Sequence, residues 1–90
     1  FSFVSNNCSL GDNNIINTSC VIEHDVSIGS DCHIAPNATI CGDVNILDNV
    51  LIGAGSVILP GVSVASNVVI GAGAVIKKNI YEPGTYFGLR

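Results

Sequence analysis

The sequence has no tryptophan, no methionine and only three cationic side chains, Lys77, Lys78 and Arg90, in 90 residues. Seven acidic residues leave a formal net charge of −4. A nucleic-acid footprint needs a basic stripe, so no nucleic-acid partner is expected. No apolar run approaches the roughly 20 residues of a membrane helix, and no membrane partner is expected either. No segment reads as a signal peptide. The missing initiator methionine points to a processed chain or a piece of a longer one. Cysteines stand at 8, 20, 32 and 41, so CxxC pairs are also absent. These four are read as small buried thiols in a reducing compartment, the cytoplasm, rather than as a bridge or a metal site.

A globular core of this length would be marginal, because small domains bury a low fraction of their surface. A repeat solenoid avoids that limit by stacking units on one continuous core. Counting in sixes from Val4 gives Leu10, Ile16, Ile22, Ile28, Ile34, Ile40, Ile46, Ile52, Ile58, Val64, Ile70 and Ile76, all aliphatic. Taking these as position one, position five is Val or a small residue everywhere except Asn14 and Ile80. Position four holds only Asn, Asp, Ser or Gly, which favour turns or tolerate positive φ. Each hexad therefore turns a corner at positions three and four. A short strand follows, with positions five and one inward and six outward. Three sides close a triangular coil of eighteen residues, and thirteen hexads make a little over four coils. The expectation is an all-β, parallel β-helix of hexapeptide repeats over residues 1–81, with a C-terminal tail at 82–90.

Residues eighteen apart fall in one column. Outward residues are mostly polar on the first side (Ser9, Ser27, Asn45, Ser63, Tyr81) and mostly apolar on the second (Ile15, His33, Leu51, Val69) and third (Val21, Thr39, Val57, Val75). Two apolar outer faces suit burial against other copies. The corner between them carries small residues, Thr18-Ser19, Pro36-Asn37, Ala54-Gly55 and Ala72-Gly73, that permit close approach. A homotrimer with this corner near its axis is the simplest reading, and contact with a further domain is the other.

Only two histidines are available for proton transfer. His24 lies on a corner in the column Asn6, His24, Gly42, Pro60, Lys78, and His33 lies on the second face, half a coil away. They can meet only across an interface between subunits. His24 is the candidate general base toward an acceptor amine or hydroxyl. Asp25 could orient its ring or simply hold the turn. His33 could touch substrate or only pack. The Gly42 amide could face a developing oxyanion, or Gly42 could ease the corner. Lys78, three coils up at about 14 Å, could meet phosphates or be a solvated cap. A zinc hydratase needs three protein ligands, and two histidines fall short, so no metal is expected.

The block INTSCVIEHDVSIGSDCHIAP (16–36), with IGAGSVILPGV, VVIGAGAVIKKNI and the tail GTYFGL, resembles the bacterial sugar acetyltransferases that use acetyl-CoA. These include nucleotide-aminosugar N-acetyltransferases and the sialic-acid O-acetyltransferase group. The resemblance implies a left-handed coil and a trimer with active sites between subunits. It makes His24 the base, Asp25 its acidic partner and His33 a substrate contact. It implies acetyl-CoA as co-substrate, with Gly42, Ala54, Ala72 and Lys78 as candidate coenzyme contacts. The family usually carries an N-terminal βαβ domain before the helix and a Gly-x-Pro-Ala ending where Gly88-Leu89-Arg90 stands here, so either weakened acceptor and coenzyme binding or a piece of a larger protein is expected. A non-catalytic trimeric module is the competing reading.

Overall fold

The computed structural model describes residues 1–90 and contains no helix. Fourteen short strands follow in order: β1 Phe3–Val4, β2 Ser9–Leu10, β3 Ile15–Ile16, β4 Val21–Ile22, β5 Ser27–Ile28, β6 His33–Ile34, β7 Thr39–Ile40, β8 Asn45–Ile46, β9 Leu51–Ile52, β10 Val57–Ile58, β11 Ser63–Val64, β12 Val68–Ile70, β13 Val75–Ile76 and β14 Gly84–Tyr86. They form three parallel sheets, ordered β2-β5-β8-β11, β3-β6-β9-β12-β14 and β1-β4-β7-β10-β13. Strand partners are eighteen residues apart from Phe3↔Val21 through Ile58↔Ile76. The fold is a left-handed parallel β-helix.

The corners explain the position-four residues. Twelve of the thirteen adopt positive φ, from Asn49 at 57° to Gly61 at 77°. An ordinary side chain resists that conformation, whereas Gly and Asn or Asp accept it. Corner amides also bond from coil to coil, as Asp43 N–H donates to His24 C=O at 3.1 Å.

Position-one isoleucines from Ile22 to Ile76 are all buried and stack with the position-five residues in one core. Burying each contributes about 1.5–3 kcal/mol. Three of the four thiols find a structural task here. Cys8, Cys20 and Cys32 donate from Sγ to the carbonyl fifteen residues ahead, at 3.0, 2.9 and 3.1 Å. Ser56 Oγ donates likewise to Gly71 at 2.8 Å, and Asn14 Nδ2 to Gly29 at 2.7 Å. Position five thus satisfies a carbonyl left over where the next coil turns. All four cysteines are free.

The sequence frame fails at the C-terminal end. Asn79 is the one position-four residue without positive φ. Ile80 bridges Val64, and Val68 pairs with Gly84, both sixteen residues ahead rather than eighteen. The expected column placing Tyr81 above Ser63 and Ile80 above Val62 is therefore corrected by two residues. β14 lies on the second face, and the helix has about five turns, rather than a little over four. No helix is present that is long and apolar enough to cross a membrane.

Candidate functional site

His24 and Asp25 sit on the corner between β4 and β5, where positive φ at Asp25 (59°) turns the chain outward. Their side chains are joined, His24 Nδ1 to Asp25 Oδ2 at 2.9 Å, and both are exposed. A carboxylate can only accept, so Nδ1 carries the proton and Nε2 is left with its lone pair. The hydrogen bond to Asp25 is the main cause holding the His24 pKa above its ordinary value, with the charges of Asp25, Asp43 and Glu23 adding to it. Loss of solvation opposes the rise.

Gly42 lies in the next coil directly beside this ring. A Cβ there would stand 2.7 Å from both His24 Cε1 and Nε2, closer than real contacts allow. Gly42 is buried, and its own φ is not in the left-handed region. The residue is glycine because the imidazole occupies the side-chain space. Its amide donates to no group in the chain. Gly42→Ala is therefore expected to keep the coil but displace the ring from its seat. Activity should fall about 10–100-fold with an unchanged circular dichroism spectrum, and an unaffected rate would show that the ring position is irrelevant.

The other sequence candidates are dispersed. His33 is on β6 of the second face, with Nε2 3.3 Å from Asn17 Nδ2. It borders a shallow depression of about 260 Å³ with Asp31, Asn49, Leu51, Asn67 and Val69. His24 is on a different edge, so one chain does not unite the two histidines. Ala54 and Ala72 are exposed neighbours on the corner between the second and third faces, where Gly73 N–H donates to Ala54 C=O at 2.8 Å. Lys78 belongs to the His24 column but lies two residues past the last eighteen-residue pairing. It borders an open hollow of about 540 Å³ that also gathers Lys77, Arg90, Tyr81 and Tyr86. All three cations of the chain meet there.

Sequence reasoning missed Asp43. Its carboxylate joins the His24 and Asp25 side chains in a group in which one polar atom of each lies within 4.8 Å of the other two. The signal was available, since Asp43 stands eighteen residues after Asp25. Exposed acidic groups of this kind are common without an ion. With Nδ1 of the ring already donating to Asp25, the arrangement suits proton handling.

The repeat is matched by known proteins. The model of the bacterial transferase hexapeptide family (six repeats) matches residues 7–42 and 43–78. No curated protein sequence matches. Among solved structures, the acetyltransferase domain of PglB from Neisseria gonorrhoeae is 33% identical, with a TM-score of 0.92 over 96% of this chain and 42% of that one. A GDP-perosamine N-acetyl transferase mutant from Caulobacter crescentus, in complex with CoA and GDP-perosamine, is 28% identical, with a TM-score of 0.91 over 94% of this chain and 40% of that one. A maltose O-acetyltransferase from Clostridium difficile is 28% identical, with a TM-score of 0.84 over 97% of this chain and 62% of that one. The chain thus spans about half the length of these relatives. With the family model covering most of its length, the chain belongs to the bacterial transferase hexapeptide family.

Proposed function

We propose that the chain is the catalytic β-helix of an acetyl-CoA-dependent acetyltransferase acting on a sugar or nucleotide sugar. The observation that carries this reading is the His24–Asp25 pair, with Nε2 free beside the Gly42 backbone. The relatives crystallised with CoA and a nucleotide sugar support it.

In this mechanism Nε2 of His24 takes the proton of the acceptor amine or hydroxyl as that group attacks the thioester carbonyl. Asp25 holds the tautomer and stabilises the imidazolium that forms. The unpaired Gly42 amide is the group available to the oxyanion. Collapse expels the coenzyme thiolate, which recovers the proton from His24. Lys78 is assigned to the phosphates of the coenzyme. Ala54 and Ala72, small and exposed, leave room for its arm.

His33 enters from a neighbouring subunit. The exposed apolar residues Ile15, Leu51 and Val69 surround it on the second face, which suits burial against the third face of another copy. A homotrimer places three such sites at the interfaces, in the reducing cytoplasm that four free thiols suit. The test is acetyl transfer to a panel of nucleotide aminosugars and sialic acid, read by mass spectrometry. Mixed refolding of His24→Ala and His33→Ala chains is expected to restore activity that neither has alone. Trimers that bind no coenzyme A in calorimetry would instead identify a non-catalytic module.

A further inference from the structure

The position-four columns differ in a way the fold does not require. On the corner between the first and second faces, adjacent coils carry Asn13 over Asp31 and Asn49 over Asn67. Each pair is joined by an amide hydrogen bond of 2.8 Å. On the corner between the third and first faces the column reads Asn7, Asp25, Asp43, Gly61, Asn79. Two carboxylates stand on adjacent coils there, and no hydrogen bond joins them. Like charges one strand spacing apart repel. Asparagine is the ordinary occupant of such corners, so the second acid is not needed for the turn.

The group placed to offset that repulsion is His24. One of its ring nitrogens and one oxygen of each carboxylate lie within 4.8 Å of one another. Asp25 is engaged with Nδ1, whereas the Asp43 side chain makes no hydrogen bond at all. The backbone fixes Asp43 in place, through positive φ at 61° and its N–H donated to His24 C=O. The remaining charged group acting on the ring is Glu23 of the same coil; Cys41 of the next coil faces Glu23, and Lys78 lines the hollow at the far end of the column.

We propose that Asp43 is a positioning residue for proton transfer, a second acidic neighbour whose charge favours the imidazolium form of His24 without touching the substrate. This rests on His24 being the base of the transfer. Asp25 fixes the ring through its hydrogen bond, and Asp43 acts through space. The two carboxylates divide orientation from charge. His24 takes up its proton during attack, so a neighbour that favours the charged ring lowers the barrier to that step. The charges of Asp43 and Glu23 already act in this direction on the resting ring.

The test is an NMR titration of the His24 ring in the complete chain, without substrate. Only two histidines are present, so His24→Ala assigns the signal. Asp43→Asn keeps a residue that accepts the left-handed corner. It is expected to lower the His24 midpoint by about half a pH unit, the Coulomb effect of one charge at this distance in a largely aqueous setting. Glu82→Gln, an acid at the far end of the coil, is expected to leave the midpoint unchanged. The acid limb of kcat/KM, where His24 must lose its proton to act, should move down with the midpoint in Asp43→Asn. An unmoved midpoint in Asp43→Asn, or an equal shift in Glu82→Gln, overturns the proposal. Because the titration needs no turnover, it can fail or succeed independently of the acetyltransferase reading.

Discussion

Replacing His24 with alanine is expected to lower kcat/KM for acetyl transfer by about 10²–10⁴-fold, the range associated with a positioned general base. The fold should be untouched. His24 is exposed, contributes nothing to the buried core and is followed by the residue that makes the turn. The loss should appear mainly in kcat, because the ring acts when the proton leaves the nucleophile and adds little to ground-state binding. A steady-state assay with both substrates varied separates the two. Wild-type turnover in this variant would leave the corner without a catalytic role. Asp25→Asn probes the partner more gently, since asparagine also accepts positive φ and its side-chain oxygen can still receive the Nδ1 proton.

Replacing Ile52 with alanine is expected to destabilise the coil by about 2–5 kcal/mol, the range for a large aliphatic side chain removed from a packed core. Ile52 is fully buried and lies between Ile34 and Ile70 in one column of the second face. A solenoid has no distant core to share the loss, because each coil touches only its neighbours. A cavity at Ile52 therefore weakens both adjoining interfaces at once. Urea unfolding followed by circular dichroism measures the change. The same substitution at Leu10, already 41% exposed at the open first coil, should have a far smaller effect. Equal losses at the two sites would mean that the coils do not stack as described.

Most of the architecture was legible because one rule repeats. The six-residue spacing of aliphatic side chains placed the strands, and the Asn, Asp and Gly at position four placed the corners. The eighteen-residue columns then put Gly42 beside His24 on spacing alone. The reading failed where the rule lapsed. Nothing in KKNIYEPG announces that Ile80 will stack on Val64, because a two-residue contraction leaves no mark in composition. The polar hydrogen bonds of Cys20, Cys32 and Ser56 were also hidden, since smallness alone accounts for their presence. Asp43 was passed over because its residue type suits a corner equally well. Only its distance to the ring separates it from the other turn residues.

A tower of identical parallel coils is one translation away from a fibre, because its last storey offers unpaired backbone groups to the first storey of another molecule. The contraction near Ile80 changes that prospect. With sixteen residues between partners, and Val75 bridging Leu89 only fourteen ahead, the perimeter narrows as the chain climbs. Arg90 C=O receives the amides of both Lys77 and Lys78, which ties residue 90 to the segment after β13. A regular coil of eighteen residues does not match the smaller circumference set by these spacings. The broken repeat takes the backbone out of the eighteen-residue register that a further regular coil would need to pair with it.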